Sequence, residues 1–361
     1  MILGRDFLSK AQIDIQYSSK EVKWLDRTIT MKPLGYWEQY SAWESTLDDS
    51  NDELESYFSN RDTPTNILDA KYDAVSVQEV IDKQKHLNDS GKELLHNTLE
   101  KHKELFRGEL GRYPHLQVSL ELEEGARPFH KRPYPVAQVQ LETFKKELLH
   151  LVKIGVLRAC GPTRWGSPTF IIPKKDGRVR WVSNFRELNK LLKRRQYPLP
   201  IIHEEFLKRR GYRHFTKIDL SMMFYCFELD DASKELCTIV TPFGKFQYCR
   251  LAMGLKVSPD IAQAMIEEVL KGLDVVAYID GIGIWTDSSM GDHIKLVDQV
   301  LSRLQENGFT VNPLKCEWAV KESDFLGYWM TPDGIKPWKK KIEAVLRMQP
   351  PTNASEMRSF I

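Results

Sequence analysis

The stretch Val275-Val276-Ala277-Tyr278-Ile279-Asp280-Gly281-Ile282-Gly283-Ile284-Trp285 constrains this chain more than any other. Two runs of strand-forming residues flank a short Asp-Gly centre, the pattern of two apolar strands joined by a tight turn. Strands this apolar must be buried, so the turn sits at the edge of a core and carries one carboxylate, Asp280. An acid held there is well placed to bind a metal ion. The plain alternative is a turn Asp that serves only its own backbone.

At 361 residues the chain is long enough for two or three domains and a sizeable core. Its 42% hydrophobic and 28% charged residues describe an ordinary globular protein. No apolar run approaches the roughly 18 residues that cross a bilayer, so no membrane partner is expected. Arg5 and Asp6 interrupt the only apolar stretch at the N-terminus, which does not read as a signal peptide. The five cysteines are scattered without CxxC pairs or Cys/His clusters, which argues against a disulfide scaffold or a zinc site and for a cytoplasmic setting. Net charge is only +2, yet residues 170–213 hold 13 Lys/Arg against 4 Asp/Glu. That local excess suits a polyanion-binding surface, with a merely solvated basic face as the alternative.

Along the chain, residues 1–32 alternate apolar positions (Ile13, Ile15, Val22, Trp24) over too short a span to bury a face of their own. Residues 33–65 centre on Asp48-Asp49-Ser50-Asn51-Asp52-Glu53, an acidic run that favours a flexible linker. Ser76 to Phe106 reads as helical, closed by Gly108, Gly111 and Pro114. A second helix is expected from Val136 to Ile154, with Val139, Phe144, Leu148, Leu151 and Val152 near its apolar face. Thr169 to Ile172 and Arg180 to Val182 flank Lys174-Lys175-Asp176-Gly177 as a hairpin. Phe215 to Ile218 is a strand leading into Asp219. A helix over Pro259–Leu270 precedes the Asp280 hairpin, and another follows it with Ile294, Val297, Leu301 and Leu304 on one face and Gly308 past its end.

Asp219 and Asp280 both stand at strand ends, where two carboxylates could hold the metal ions of phosphoryl transfer. The words around them identify a resemblance. Ser167-Pro168, Lys174-Lys175-Asp176-Gly177, Arg180 and Asn184-Phe185-Arg186-Glu187-Leu188-Asn189-Lys190 resemble the fingers motif of reverse transcriptases, with Tyr197-Pro198-Leu199-Pro200 following in place. Thr216 to Phe224 resembles the first palm motif, and Leu251 to Lys256 with Ser258-Pro259 the second. The Asp280 turn resembles Tyr-x-Asp-Asp, and Asn312 to Cys316 and Phe325 to Tyr328 resemble the motifs after it. In order and spacing, Tyr113 to Ile361 is similar to the polymerase of gypsy-class LTR retrotransposons.

The resemblance implies an α+β fold: a right-hand palm with a ferredoxin-like βαββαβ core, fingers, and a truncated thumb. It places fingers and palm at 113–331, the start of the thumb at 332–361, and a linker, acidic then helical, at 33–112. It implies metal ligation by Asp219 and Asp280 with two Mg²⁺, or Mn²⁺ in their place. Lys174 and Arg180 would hold the incoming triphosphate, Phe224 would exclude a 2′-hydroxyl, and Gly254 would let the chain approach the nascent base pair. Lys315 would be a general acid for pyrophosphate, with a surface lysine as its alternative. The implied partners are an RNA or DNA template with its primer and deoxynucleoside triphosphates, in the cytoplasm and within virus-like particles.

Ile2-Leu3-Gly4-Arg5-Asp6 separately resembles the helix near the C-terminal end of retropepsin-like proteases, so residues 1–32 are expected to be such a tail, without protease activity. Asp89-Ser90-Gly91 reads as a turn or helix start. Three positions depart from the polymerase pattern: Asn184 stands for a common Asp, Ala252 for a Pro, and Gly281 for the second acid of the catalytic turn. The next acid, Asp287, lies six residues on, about 20 Å at ~3.3 Å per strand residue, too far to substitute. Two functions are therefore expected to compete: a severely impaired reverse transcriptase, and a catalytically silent remnant that only binds nucleic acid.

Overall fold

In the computed structural model, residues 74–173 and 179–336 are described, together with the backbone of three short strands before them. Lys174, the linker centre, the Ile2–Asp6 segment and residues 337–361 of the expected thumb lie outside the described residues. Contacts divide the chain into two units, residues 1–62 with 340–361, and residues 63–339. In the first, β1 (Ile13–Gln16), β2 (Glu21–Trp24) and β3 (Arg27–Thr30) form an antiparallel sheet.

The second unit opens with α1 (Val77–Asp82) and α2 (Asp89–Lys101), followed by a 3₁₀ turn at Lys103–Phe106. The helical stretch from Ser76 is thus interrupted. Asn88 adopts an extended conformation and its side chain accepts from the Gly91 N–H at 2.8 Å, a cap that starts a new helix. Asp89-Ser90-Gly91 is the first turn of that helix, as its sequence suggests. After β4 (Gln117–Val118) comes α3 (Gln138–Lys153), which buries Phe144, Leu148 and Leu151. Val139, placed near the apolar face by sequence, is instead 65% exposed. At about 100° per residue it lies roughly 140° around the helix from Phe144.

A five-stranded sheet follows, built from β5 (Leu157–Ala159), β6 (Ser167–Pro173) and β7 (Val179–Ser183), with two later strands inserted between β5 and β6. β6 and β7 pair antiparallel from Thr169–Ser183 to Pro173–Val179, the hairpin expected around the Lys-Lys-Asp-Gly turn. Short helices α4 (Arg186–Leu191) and α5 (Ile202–Lys208) lead to β8 (His214–Asp219). Next come β9 (Glu228–Leu229), α6 (Asp231–Leu236), and the inserted strands β10 (Thr238–Thr241) and β11 (Gly244–Tyr248).

From there the chain runs through α7 (Ser258–Val269), β12 (Val275–Tyr278), β13 (Gly281–Thr286), α8 (Met290–Glu306) and β14 (Glu317–Val320). Together with β8 these elements give β-α-β-β-α-β, and the strands lie in the order β12-β13-β8-β14, all antiparallel. This is the ferredoxin-like palm. Both faces of its sheet are covered, which is why the hairpin strands read as continuous apolar runs. Ile218, Ile282 and Ile284 join the main core with Ile266, Ile294, Val297, Leu301 and Leu304, while Phe215 and Trp285 pack on the other face with Phe206, Tyr212 and Phe325. Each such side chain contributes about 1.5–3 kcal/mol by burial. A final sheet of β15 (Ser323–Phe325), β16 (Tyr328–Thr331) and β17 (Gly334–Lys336) supplies Phe325 to that second face.

Candidate active site

The palm sheet brings Asp219 and Asp280 to one end. Tyr278 pairs with Gly281, leaving Ile279 and Asp280 as the two turn residues, and Gly281 pairs in turn with Asp219. The Leu220 N–H donates to the Asp280 carbonyl at 2.8 Å, tying the turn to the end of β8. Ile279 has φ +53°, a left-handed conformation that costs a β-branched residue on the order of 1–3 kcal/mol. Surrounding contacts must therefore hold it.

Lys315 reaches the same place from the loop before β14, its Nζ 3.4 Å from Asp219 Oδ1. Backbone bonds fix that approach: the Asn312 N–H donates to the Asp219 carbonyl at 2.9 Å, and the Lys315 N–H to the Asn312 carbonyl at 3.1 Å. The Asp219 N–H donates to Cys316 Sγ at 3.4 Å, and that thiol donates to the Asn312 carbonyl at 3.2 Å. Burial pushes both carboxyl pKa values above the usual range; Lys315 opposes the rise at each, and Asp280 adds to it at Asp219. Two partly desolvated acids side by side favour a cation between them.

A cleft of about 570 Å³ opens beside the turn, lined by Arg180, Phe224, Gly254, Asp280 and Lys315 among others. The sequence-named residues therefore converge, Lys174 apart. Arg180 is exposed on β7, whose alternation buries Trp181 behind it, where the indole N–H donates to the Tyr248 hydroxyl at 3.0 Å. Phe224 sits in a 3₁₀ turn that follows Met222 at φ +48°. Gly254 has φ +90°, while a Cβ there would lie no closer than 3.6 Å to the Ser183 carbonyl. Conformation, more than crowding by its neighbours, is what calls for glycine there.

Two residues of this site were given no role by the sequence reading. Asn189 donates to the Gly254 carbonyl and accepts from the Lys256 N–H, both at 2.8 Å, and so fixes the loop that borders the cleft. Glu147, fully buried on α3, also lines it. Asn189 lay within the fingers motif and could have been singled out; Glu147 sits in an ordinary helical heptad with no signal.

The two glycines of β13 differ sharply. A Cβ on Gly283 would fall 2.2 Å from the Trp285 ring, which lies over it. A Cβ on Gly281 would meet nothing closer than a Phe325 ring carbon at 3.4 Å, in ordinary contact, and its φ is not in the left-handed region. Gly281 is therefore not required by the fold. Among the described residues no group of three or more His, Cys, Asp or Glu side chains converges to hold a metal.

A four-stranded sheet with two strand-end acids beside a cleft that Arg180 also lines is the architecture of a polymerase palm. Comparison with known proteins agrees. The family described as "Reverse transcriptase (RNA-dependent DNA polymerase)" matches residues 172–330. The chain is 34% identical over 262 residues to the uncharacterized protein K02A2.6 of Caenorhabditis elegans, covering 72% of this chain and 20% of that protein. It is 27% identical over 374 residues to the retrovirus-related Pol polyprotein from transposon 297 of Drosophila melanogaster, covering 100% of this chain and 33% of the relative. The chain thus spans a third or less of the length of these relatives. Among solved structures, a foamy viral protease-reverse transcriptase in complex with an RNA/DNA hybrid aligns with a TM-score of 0.72 at 19% identity, covering 94% of this chain and 45% of that one. The same viral protein in complex with dsDNA aligns at 0.70 and 21%, covering 80% and 62%. Residues 172–330 form a reverse transcriptase domain of the kind found in retrotransposon and retroviral polyproteins.

Proposed function

We propose that this domain is built for template-directed DNA synthesis by metal-assisted nucleotidyl transfer, and that Gly281 severely impairs it. Asp219 and Asp280 would hold Mg²⁺; two carboxylates suit an ion that completes its shell with water and substrate phosphate. A second ion lacks the carboxylate that Gly281 replaces. When bound, the metal supplies neutralisation of charge at the transferring phosphoryl group. Arg180, with Lys174, binds the triphosphate through charge-assisted hydrogen bonds. Phe224 presents a bulky ring in the cleft, where it rejects a 2′-hydroxyl by clash. Lys315 hands a proton to the pyrophosphate oxygen, its ammonium kept close by Asp219.

The observation that carries this reading is the pairing of Gly281 with Asp219. An Asp at 281 would stand directly across the ladder from Asp219, and a Cβ there would meet its neighbours no closer than 3.4 Å. We further assign the chain to the gypsy class, with residues 1–32 as the tail of a retropepsin-like protease, a primed RNA or DNA template and deoxynucleotides as partners, and cytoplasmic virus-like particles as its setting. The likeness to transposon 297 over the whole chain supports that assignment. A catalytically silent, nucleic-acid-binding remnant is the second reading, favoured by the Lys315–Asp219 ion pair, which already neutralises one carboxylate. The test is Mg²⁺-dependent primer extension on an RNA template by the chain and by Gly281→Asp. Gain of extension in the variant supports the first reading; robust extension by the unchanged chain contradicts the impairment.

A further inference from the structure

The strained turn that carries Asp280 is held from outside the sheet by one side chain. β12 is an edge strand, bonded only to β13 on one side. The N–H and C=O groups on its free edge must find partners elsewhere. Gln263, on α7 and fully buried, meets two of them: its Nε2 donates to the Ala277 carbonyl at 2.8 Å, and its Oε1 accepts from the Ile279 N–H at 2.8 Å. One primary amide thus bonds a carbonyl and an N–H two residues apart, as a neighbouring strand would. The bonds also fix which way the amide points, because Ile279 offers a donor and Ala277 an acceptor.

The other Nε2 hydrogen goes to Glu267 Oε1 at 2.6 Å, and Glu267 Oε2 accepts from the Tyr197 hydroxyl at 2.7 Å. Tyr197 is anchored again through its N–H, which donates to Asp260 at 3.1 Å, while Arg194 pairs with the same carboxylate at 2.7 Å. Asp260, Gln263 and Glu267 recur every three or four residues, along one face of α7. That face links the Tyr-Pro-Leu-Pro segment to the catalytic turn.

We infer that Gln263 is a positioning residue for the metal site: its amide holds Ile279 in the left-handed conformation that aims the Asp280 carboxylate at the cleft beside Asp219. Gln263 touches neither acid. It acts through the backbone of the residue before Asp280, so losing it should loosen the turn without removing a ligand. This inference rests on the reading of Asp280 as a metal ligand.

The test uses the full chain with Mn²⁺ alone as the probe, its affinity read by electron paramagnetic resonance, together with amide exchange at Ile279. Gln263→Leu keeps the volume and removes the three bonds, Asp280→Asn removes the ligand, and Leu99→Val loosens the core in α2 as a stability control. We expect Asp280→Asn to weaken Mn²⁺ binding at least tenfold and Gln263→Leu at least fivefold, with exchange at Ile279 at least tenfold faster in the latter and Leu99→Val changing neither. Parent-like affinity and exchange in Gln263→Leu would overturn the inference, as would an equal loss of affinity in Leu99→Val. If Asp280→Asn binds Mn²⁺ like the parent, the ligand reading has failed, and the Ile279 exchange rate alone decides whether Gln263 holds the turn. Should the Leu variant not fold, Gln263→Glu, which keeps the acceptor for Ile279 but places an acceptor against Ala277, carries the same comparison.

Discussion

At the scale of single residues, the palm contains a histidine tuned by burial as firmly as its acids. His293 on α8 is fully buried between two threonines, with Nε2 2.8 Å from Thr216 Oγ1 and Nδ1 2.9 Å from Thr286 Oγ1. Thr216 Oγ1 also accepts from the Ala319 N–H at 2.9 Å, so the ring is held among groups that carry no charge. Burial drops the His293 pKa from 6.5 to about 3. The unfolded chain therefore binds a proton below pH 6.5 that the folded chain refuses. The stability this contributes is complete above pH 6.5 and is lost as pH falls toward 3, by up to about 1.4 kcal/mol per pH unit. Thermal melts across pH 4–7 should show a shallower acid slope for His293→Asn than for the parent; identical slopes would refute the buried neutral ring. A second expectation concerns Phe224: Phe224→Val in the Gly281→Asp background should admit ribonucleotides at least tenfold more readily, read as the ratio of kcat/KM for the two sugars. The Asp280 turn was legible because strand formers and an acid leave a local pattern. Gln263 was not, since a glutamine in a helix looks the same whether it faces water or an edge strand.

Among the elements, the end of α8 meets the segment after the N-terminal helices in a close backbone contact. Gly308 has φ +71°, and a Cβ on it would lie 2.0 Å from the Arg112 carbonyl oxygen; one on Gly111 would lie 2.4 Å from the Gly308 carbonyl oxygen. The Arg112 N–H donates to Gly308 at 2.8 Å across the same contact. Gly308→Ala should therefore cost at least about 2 kcal/mol, through both conformation and clash. A denaturant midpoint equal to the parent's would show that the contact yields. Sequence placed Gly308 correctly as a helix stop, and Ile294, Val297, Leu301 and Leu304, which it put on one face of α8, are all buried. It did not show that Gly308 and Gly111 touch, because that contact joins residues almost two hundred positions apart. The interruption between α1 and α2 was hidden for a different reason: α1 ends at Asp82, and the apolar period does not mark the turns between it and the Asn88 cap.

Across the whole molecule, the basic excess of residues 170–213 is smaller than the sequence count suggests. Arg194 pairs with Asp260, Arg195 with Glu121, and Arg209 with Asp274, all acids outside the block. What remains should still track phosphates. Arg186 and Lys193 are exposed. Reversing both to Glu should weaken template–primer binding and lower the slope of log Kd against log salt by about two; an unchanged slope would remove this face from the interface. The order of strands in the palm was readable only through the resemblance, since composition and period cannot say which strand lies beside which. No helix among the described residues is long and apolar enough to cross a membrane.

The central claim is that a polymerase palm is intact here except for one carboxylate. Single-turnover extension of a primed RNA template in Mg²⁺ tests it most directly, with the chain and its Gly281→Asp variant at equal duplex occupancy. The account predicts an extension rate at least a hundredfold higher in the variant. Equal rates, whether both fast or both absent, would contradict it.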